Sequence, residues 1–188
     1  VFCCINNTYK ITPEMFAIWM RLLQGVPGSV LWLLKRGEAM EANLRREATA
    51  RGVDAGRLVL APPIPNAEHM NRVQCADLFL DTLPYNAHTT ASDALWAGVP
   101  VVTCPGKSFA ARVAGSQLMA VGLPELIMPS LAQYEAKALE LATNPPALAA
   151  LRARLVHMRP TAALFDTVCF TRNLETAYEE MWRLWREG

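Results

Sequence analysis

The feature that most constrains the fold is an apolar strand, a polar loop, a hydroxyl-rich helix start and a second apolar strand in direct succession. This segment runs from Ala76 to Thr103, with a helix predicted over His88–Ala97 that ends at Gly98. The order is typical of a βαβ unit, and ligands of parallel sheets bind beyond the carboxyl ends of the strands. The first turn of such a helix has unpaired backbone N–H groups at the positive end of its dipole, which favours a bound phosphate.

Strands and helices alternate along the rest of the chain. We predict strands at Val1–Ile5, Ser29–Leu34, Arg57–Leu60, Ala76–Leu80 and Val101–Thr103, and a short extended piece at Leu126–Met128. Further helices are predicted at Pro13–Gly25, Glu38–Arg51, Asn66–Cys75, Ser108–Val121, Leu131–Ala142, Pro146–His157 and Thr167–Trp185. This pattern predicts an α/β fold with a doubly wound, parallel, Rossmann-like sheet. With 188 residues and no linker or repeat, residues 1–188 are predicted to form one domain.

Polar residues crowd the start of the helix at His88. Thr89 and Thr90 add hydroxyl donors, and Asp93 lies one turn later on the same face, where it can accept hydrogen bonds from a sugar diol. Lys10 follows the first strand, so it lies at the same sheet edge and can place a positive charge on a diphosphate. These residues predict a site for a sugar nucleotide. From the residues alone, a helix cap and a solvated lysine remain alternative interpretations of His88 and Lys10.

Composition argues against several other classes of protein. A net charge of +1 does not favour general nucleic-acid binding, and no apolar stretch reaches the roughly 18 residues of a membrane span. Five scattered cysteines without a C-x-x-C motif indicate free thiols in the core and a reducing cytoplasm. The three histidines lie far apart, which argues against a zinc cluster. No Asp-x-Asp motif follows a strand, so we expect a site without a metal.

Several separate motifs, in order, resemble the C-terminal catalytic lobe of O-GlcNAc transferases and, in large part, the SPINDLY-type O-fucosyltransferases. They are Asn6–Ile11, Ser29–Leu34, His88–Pro100, Cys104–Gly106, Ser108–Ala114 and Tyr178–Trp182. The resemblance covers nearly the whole chain and implies the nucleotide-binding, C-terminal lobe of a GT-B glycosyltransferase. It implies binding of the UDP part of a UDP-sugar, first of all UDP-GlcNAc, for inverting transfer to protein Ser or Thr hydroxyls. The donor is a substrate, and no cofactor is implied.

The resemblance also assigns roles around the diphosphate. Lys10 is expected to stabilise charge as the glycosidic bond breaks, and we place His88 beside it as a second catalytic candidate. Asn7 stands where the family often has Gln and is expected to contact the diphosphate with a shorter reach. Thr89 and Thr90 are expected to bind the same group.

The loop Ala61–His69, which is stiffened by three prolines, is expected to bind the base. By resemblance, the backbone of Ile64 hydrogen-bonds uracil, His69 packs on the ring and Arg72 approaches its carbonyl group. Asp93 is expected to hold the ribose. Asn66 stands where vertebrate-type enzymes carry a lysine near the ribose, which puts that contact in question.

We expect these residues to be part of a longer protein, because the chain begins within a predicted strand. An N-terminal lobe, and helical repeats that recruit the protein acceptor, would then lie outside it. The last helix carries Tyr178, Met181, Trp182, Leu184 and Trp185, which we expect to spread over most of its circumference. Some would then contact the N-terminal lobe, unless neighbouring helices cover both sides.

Three other functions fit the same donor site. One is protein O-fucosylation from a GDP-sugar, because backbone groups that read the base cannot be recognised in a sequence. The others are a UDP-sugar epimerase and a nucleotide-sugar-binding module without catalysis, in which Lys10 is only a solvated charge.

Overall fold

The computed structural model describes residues 1–188 and contains one five-stranded sheet. Its strands are β1 (Phe2–Cys4), β2 (Leu31–Leu34), β3 (Leu58–Ala61), β4 (Leu78–Leu80) and β5 (Val101–Val102). The order is β3-β2-β1-β4-β5 and every pair is parallel. The predicted doubly wound α/β class is therefore confirmed. The predicted extended piece at Leu126–Met128 joins the sheet edge through one bridge, between Thr103 and Ile127.

Eight α-helices connect or flank the strands. They are α1 (Pro13–Gly25), α2 (Glu38–Ala50), α3 (Asn66–Val73), α4 (Thr89–Trp96), α5 (Val113–Ala120), α6 (Leu131–Thr143), α7 (Pro145–Met158) and α8 (Thr167–Glu187). The start of α1 follows its sequence signals, because the Thr12 hydroxyl accepts from the Met15 N–H and Pro13 occupies the first turn. None of the helices is long and apolar enough to cross a membrane.

The helix predicted over Ser108–Val121 is wrong in its first half. A single 3-10 turn covers Phe109–Ala111, and α5 begins only at Val113, with no cap from the Ser108 side chain. The reason lies in two backbone hydrogen bonds to other loops. The carbonyl groups of Ala110 and Ala111 accept from the N–H groups of Asn86 and Gly106, at 2.9 and 2.8 Å, and are therefore not used by an α-helix.

All residues of β1 and β4 are buried, so the core covers both faces of the sheet. Helices α1 and α6 pack against each other, and Nε1 of Trp19 donates to the Tyr134 hydroxyl at 3.1 Å. Cys3, Cys4 and Cys104 are small buried residues of this core, as expected, and all five cysteines are free thiols. The prediction fails for Cys75 and Cys169, which are exposed. Both lie on or next to the solvent side of a helix, α3 and α8 respectively, where apolar neighbours in the sequence do not imply burial.

Helix α8 has no buried residue. At about 100° per residue, its five large apolar side chains fall within an arc of about 160°, so the expected spread over most of the circumference is wrong. They form one apolar face, and neither α6 nor α7 covers it. Met181 and Trp185 on this face are 64% and 72% exposed.

Candidate functional site

A cleft of 440 Å³ lies beyond the carboxyl ends of the strands. Loops that follow β1, β2, β3 and β4 line it, together with the start of α4. Of the nine residues predicted for the site, eight line this cleft: Asn7, Lys10, Ile64, His69, Arg72, His88, Thr89 and Thr90. A cavity of 300 Å³ near the amino ends of β1 and β4 contains none of them.

The start of α4 leaves donors free at the floor of the cleft. The N–H groups of Thr89 and Thr90 have no partner within the chain, while the carbonyl group of His88 accepts from Ala91 and Ser92. The Thr90 hydroxyl is already used, because it donates to Oδ1 of Asn6. Its backbone rather than its hydroxyl is therefore the free donor, and the helix dipole adds to the attraction of an anion.

Lys10 ends a 3-10 turn, Thr8–Lys10, within the loop that follows β1. Its Nζ donates to the carbonyl oxygen of Asn86 at 2.8 Å and lies 3.8 Å from the centre of the Tyr85 ring. Partial burial lowers the pKa of the Lys10 ammonium. One of its three N–H groups is used within the chain, so two remain for phosphate oxygens.

His88 sits between the two halves of an aromatic wall. Its ring centre lies 5.1 Å from that of Tyr85 and 6.2 Å from that of Phe109, and Tyr9 extends the wall beyond Tyr85 at 6.3 Å. Its Nε2 lies 3.3 Å from the carbonyl oxygen of Ala110, and its side chain does not cap α4. The capping interpretation of His88 is therefore wrong.

The other end of the cleft is formed by the loop after β3 and by α3. Arg72 donates to the carbonyl oxygen of Pro62 at 3.0 Å, lies 3.1 Å from Nδ1 of His69 and stacks 5.2 Å from the Trp32 ring centre. Its buried Nε has no partner. Burial, and then the Arg72 charge, lower the pKa of His69. Flat groups and fixed donors of this kind suit a planar heterocycle.

Asp93 is the one predicted residue that does not line the cleft. It lies in α4, is half-buried and is close enough to His69 for the two side chains to interact electrostatically. Burial raises the pKa of Asp93, and His69 opposes this shift. Asp93 therefore lies near His69, about one turn after the free N–H groups of α4.

A buried polar network behind the cleft was not recognised in the sequence. The carboxylate of Asp81 accepts from the N–H groups of Thr82 at 2.7 Å and Ala87 at 2.6 Å, and from the Thr103 hydroxyl at 2.6 Å. Asn6 donates to the Thr82 hydroxyl at 2.8 Å. The network joins the ends of β1, β4 and β5 and holds the loop that leads into α4. The only sequence signal was a carboxylate that directly follows an apolar strand.

The charge of the cleft has one sign. Lys10, Arg36 and Arg72 line it, and no aspartate or glutamate is among its 15 lining residues. Arg36, which follows β2, is not among the residues predicted from the sequence. Arg112 lines a separate groove along α5 instead. Cations and free N–H groups without carboxylates favour an anionic ligand. Nowhere in the chain do three or more His, Cys, Asp or Glu side chains group in a way that could hold a metal ion.

Comparison with known proteins agrees with this geometry. Residues 1–174 match the family model described as glycosyl transferase family 41. The chain is 43% identical, over 189 residues, to the Arabidopsis thaliana protein SEC, a probable UDP-N-acetylglucosamine–peptide N-acetylglucosaminyltransferase. It is 39% identical to the Caenorhabditis elegans UDP-N-acetylglucosamine–peptide N-acetylglucosaminyltransferase. Both alignments cover the whole chain, but only 19% and 16% of those relatives.

Among solved structures, a mutant of the Thermobaculum terrenum O-GlcNAc transferase superposes with a TM-score of 0.91. The sequences are 36% identical, and the match covers 97% of this chain and 36% of that one. The 188 residues therefore span about a fifth of the curated relatives and about a third of the solved bacterial protein.

Proposed function

The chain belongs to glycosyl transferase family 41, and from this premise we propose that it binds the UDP part of UDP-GlcNAc for transfer of the sugar to protein Ser or Thr hydroxyls. The observation that carries the proposal is a cleft with cations and free N–H groups but no carboxylate. The two eukaryotic relatives are named as UDP-N-acetylglucosamine–peptide transferases, which supports this donor and a peptide acceptor. Transfer is proposed to invert the anomeric carbon, with UDP as the leaving group.

In this proposal the diphosphate lies between the start of α4 and the loop after β1. The N–H groups of Thr89 and Thr90 bind its oxygens, with Asn7 beside them. Lys10 faces the oxygen that gains charge as the bond to the sugar breaks, so its contribution is largest in the transition state. The ring of His88 directs Nε2–H to the Ala110 carbonyl oxygen, so its Nδ1 can accept a proton and becomes a donor only in the imidazolium form. This division assigns binding mainly to the helix and catalysis mainly to Lys10.

The nucleoside is proposed to lie at the other end. The backbone of Ile64 and the guanidinium of Arg72 read the edge of uracil, and His69 packs against its face. Asp93 accepts hydrogen bonds from the ribose. We propose that no metal takes part, because Lys10, Arg36 and Arg72 line the cleft and can neutralise a diphosphate, and no carboxylate lines it to hold a cation.

Calorimetric titration of the 188-residue chain tests the donor. We expect UDP to bind one to one, with the same Kd in EDTA as in Mg²⁺. We expect GDP to bind about tenfold more weakly or worse, a difference in binding free energy of about 1.4 kcal/mol or more. Loss of UDP binding in EDTA would contradict the metal-free site. Tighter binding of GDP would replace the proposal with a GDP-sugar donor.

We propose that the apolar face of α8 packs against an N-terminal lobe of the same enzyme, and that this enzyme works in the cytoplasm, where its five thiols stay reduced. The support for the first point is an unpartnered apolar face at the end of a chain that matches only part of its relatives. The isolated chain should bind a hydrophobic dye, and Trp182→Ser with Trp185→Ser should remove most of that binding. Dye binding that the double variant leaves unchanged would contradict the assignment.

A further inference from the structure

Arg36 is the one cation of the cleft whose charge is not used within the chain. Lys10 donates to Asn86, and Arg72 is held by Pro62, His69 and the Trp32 ring. The guanidinium of Arg36 takes part in no hydrogen bond and no ion pair. All of its donors are therefore available to a ligand.

The neighbouring carboxylates do not neutralise it. Glu41, in the first turn of α2, pairs with Lys35 at 2.8 Å and with Arg45 at 2.9 Å. Glu38 forms no ion pair. Arg36 therefore differs from Lys35, its neighbour in the chain, in lining the cleft without an ion pair.

Sheet order sets where Arg36 lies along the cleft. Strand β2 runs between β3, whose loop forms the base end, and β1, whose loop carries Lys10. The N–H of Lys35 donates to the carbonyl oxygen of Ala61 at 2.8 Å, which fixes the start of the Arg36 loop beside β3. A nucleotide that extends from Ile64 to the start of α4 must pass this position.

We propose that Arg36 binds the phosphate groups of the donor nucleotide, an inference that rests on the proposed function. A guanidinium offers paired, planar donors that match phosphate oxygens, and its charge strengthens each hydrogen bond. No bond inside the protein has to break when this contact forms. Arg36 is thus a binding residue for the diphosphate, in the same cleft as the N–H groups of α4.

Titrations with UDP and with uridine test the assignment. Arg36→Gln removes the charge and is expected to raise the Kd for UDP roughly tenfold, with the Kd for uridine changed less than about twofold. Arg36→Lys keeps the charge, so its Kd for UDP should lie between those of the wild type and Arg36→Gln. The matched control is Arg46→Gln, the same change at an exposed arginine of α2 that does not line the cleft, and it should bind UDP as the wild type does.

The outcomes separate this inference from the proposed function. If Arg36→Gln leaves UDP binding unchanged, or weakens uridine as much as UDP, Arg36 does not bind the phosphates. The proposed function then stands, provided that the wild-type chain binds UDP. A wild-type chain that binds no UDP would instead refute the proposed function, and this inference with it.

Discussion

Replacing Lys10 with alanine should lower the rate of sugar transfer at least about a hundredfold, while the Kd for UDP rises less than about tenfold. The Lys10 ammonium is held at the cleft by Asn86 and by the Tyr85 ring, close to the α4 start. In the proposed binding mode the free N–H groups there also hold the diphosphate, so the loss of one cation should weaken binding only moderately. Lys10 is the cation that the proposal places on the leaving oxygen, where charge develops only as the bond breaks, so catalysis should suffer more than binding.

Transfer is best measured in a chimaera in which these 188 residues replace the structurally matching segment of the Thermobaculum terrenum O-GlcNAc transferase. Lys107→Ala is the matched control, because Lys107 lines the groove along α5 rather than the cleft. If Lys10→Ala retains transfer, Lys10 is a solvated charge, as expected for a binding module without catalysis. Equal losses in transfer and in UDP affinity would make Lys10 a binding residue.

The second large effect concerns Asp81 and pH. Burial raises the pKa of this carboxyl to about 6 from an ordinary value of 3.8. Because the folded state holds the proton more tightly, Asp81 adds stability that is complete below pH 3.8 and is lost as the pH rises through 6. Between pH 4.5 and pH 7.5 this loss should amount to about 2 kcal/mol of unfolding free energy.

Urea denaturation of the wild type and of Asp81→Asn at both pH values measures this loss. Asparagine does not titrate. The difference in unfolding free energy between the wild type and Asp81→Asn should therefore be about 2 kcal/mol more favourable to the wild type at pH 4.5 than at pH 7.5. The control is Asp54→Asn, at an exposed position where asparagine can still accept from the Gly56 N–H and cap the 3-10 turn that follows. Its free energy of unfolding should equal that of the wild type at both pH values. An advantage that instead grows with pH would mean that the donors around Asp81 outweigh its burial.

The fold could be predicted from the sequence because its signals are local. Apolar runs of three to five residues at β1, β2 and β4, and the Thr12-Pro13 start of α1, each act within one element. The prediction failed at Ser108–Val121, where carbonyl groups bond to loops about 5 to 24 residues away in the chain. The periodicity of apolar residues within a segment does not show that distant loop N–H groups will take the carbonyl groups that a helix would use.

The site was predictable to the extent that topology brings strand ends together. Residues that follow β1, β3 and β4 line one cleft because parallel strands end at one edge. Two features depend on contacts that the sequence cannot reveal. Oδ1 of Asn6 accepts a hydrogen bond from the Thr90 hydroxyl, 84 residues away in the chain, and Glu41 pairs with Lys35 and Arg45 but not with Arg36.

A crystal structure of the chain with UDP tests the central claim most directly, namely that this cleft is the donor site. We predict the diphosphate at the N–H groups of Thr89 and Thr90, within reach of Lys10, and uracil beside Ile64 and Arg72. The ribose hydroxyls should meet Asp93. A nucleotide bound in the groove along α5, or in the cleft with its base toward α4 and its phosphates toward Ile64, would contradict the account.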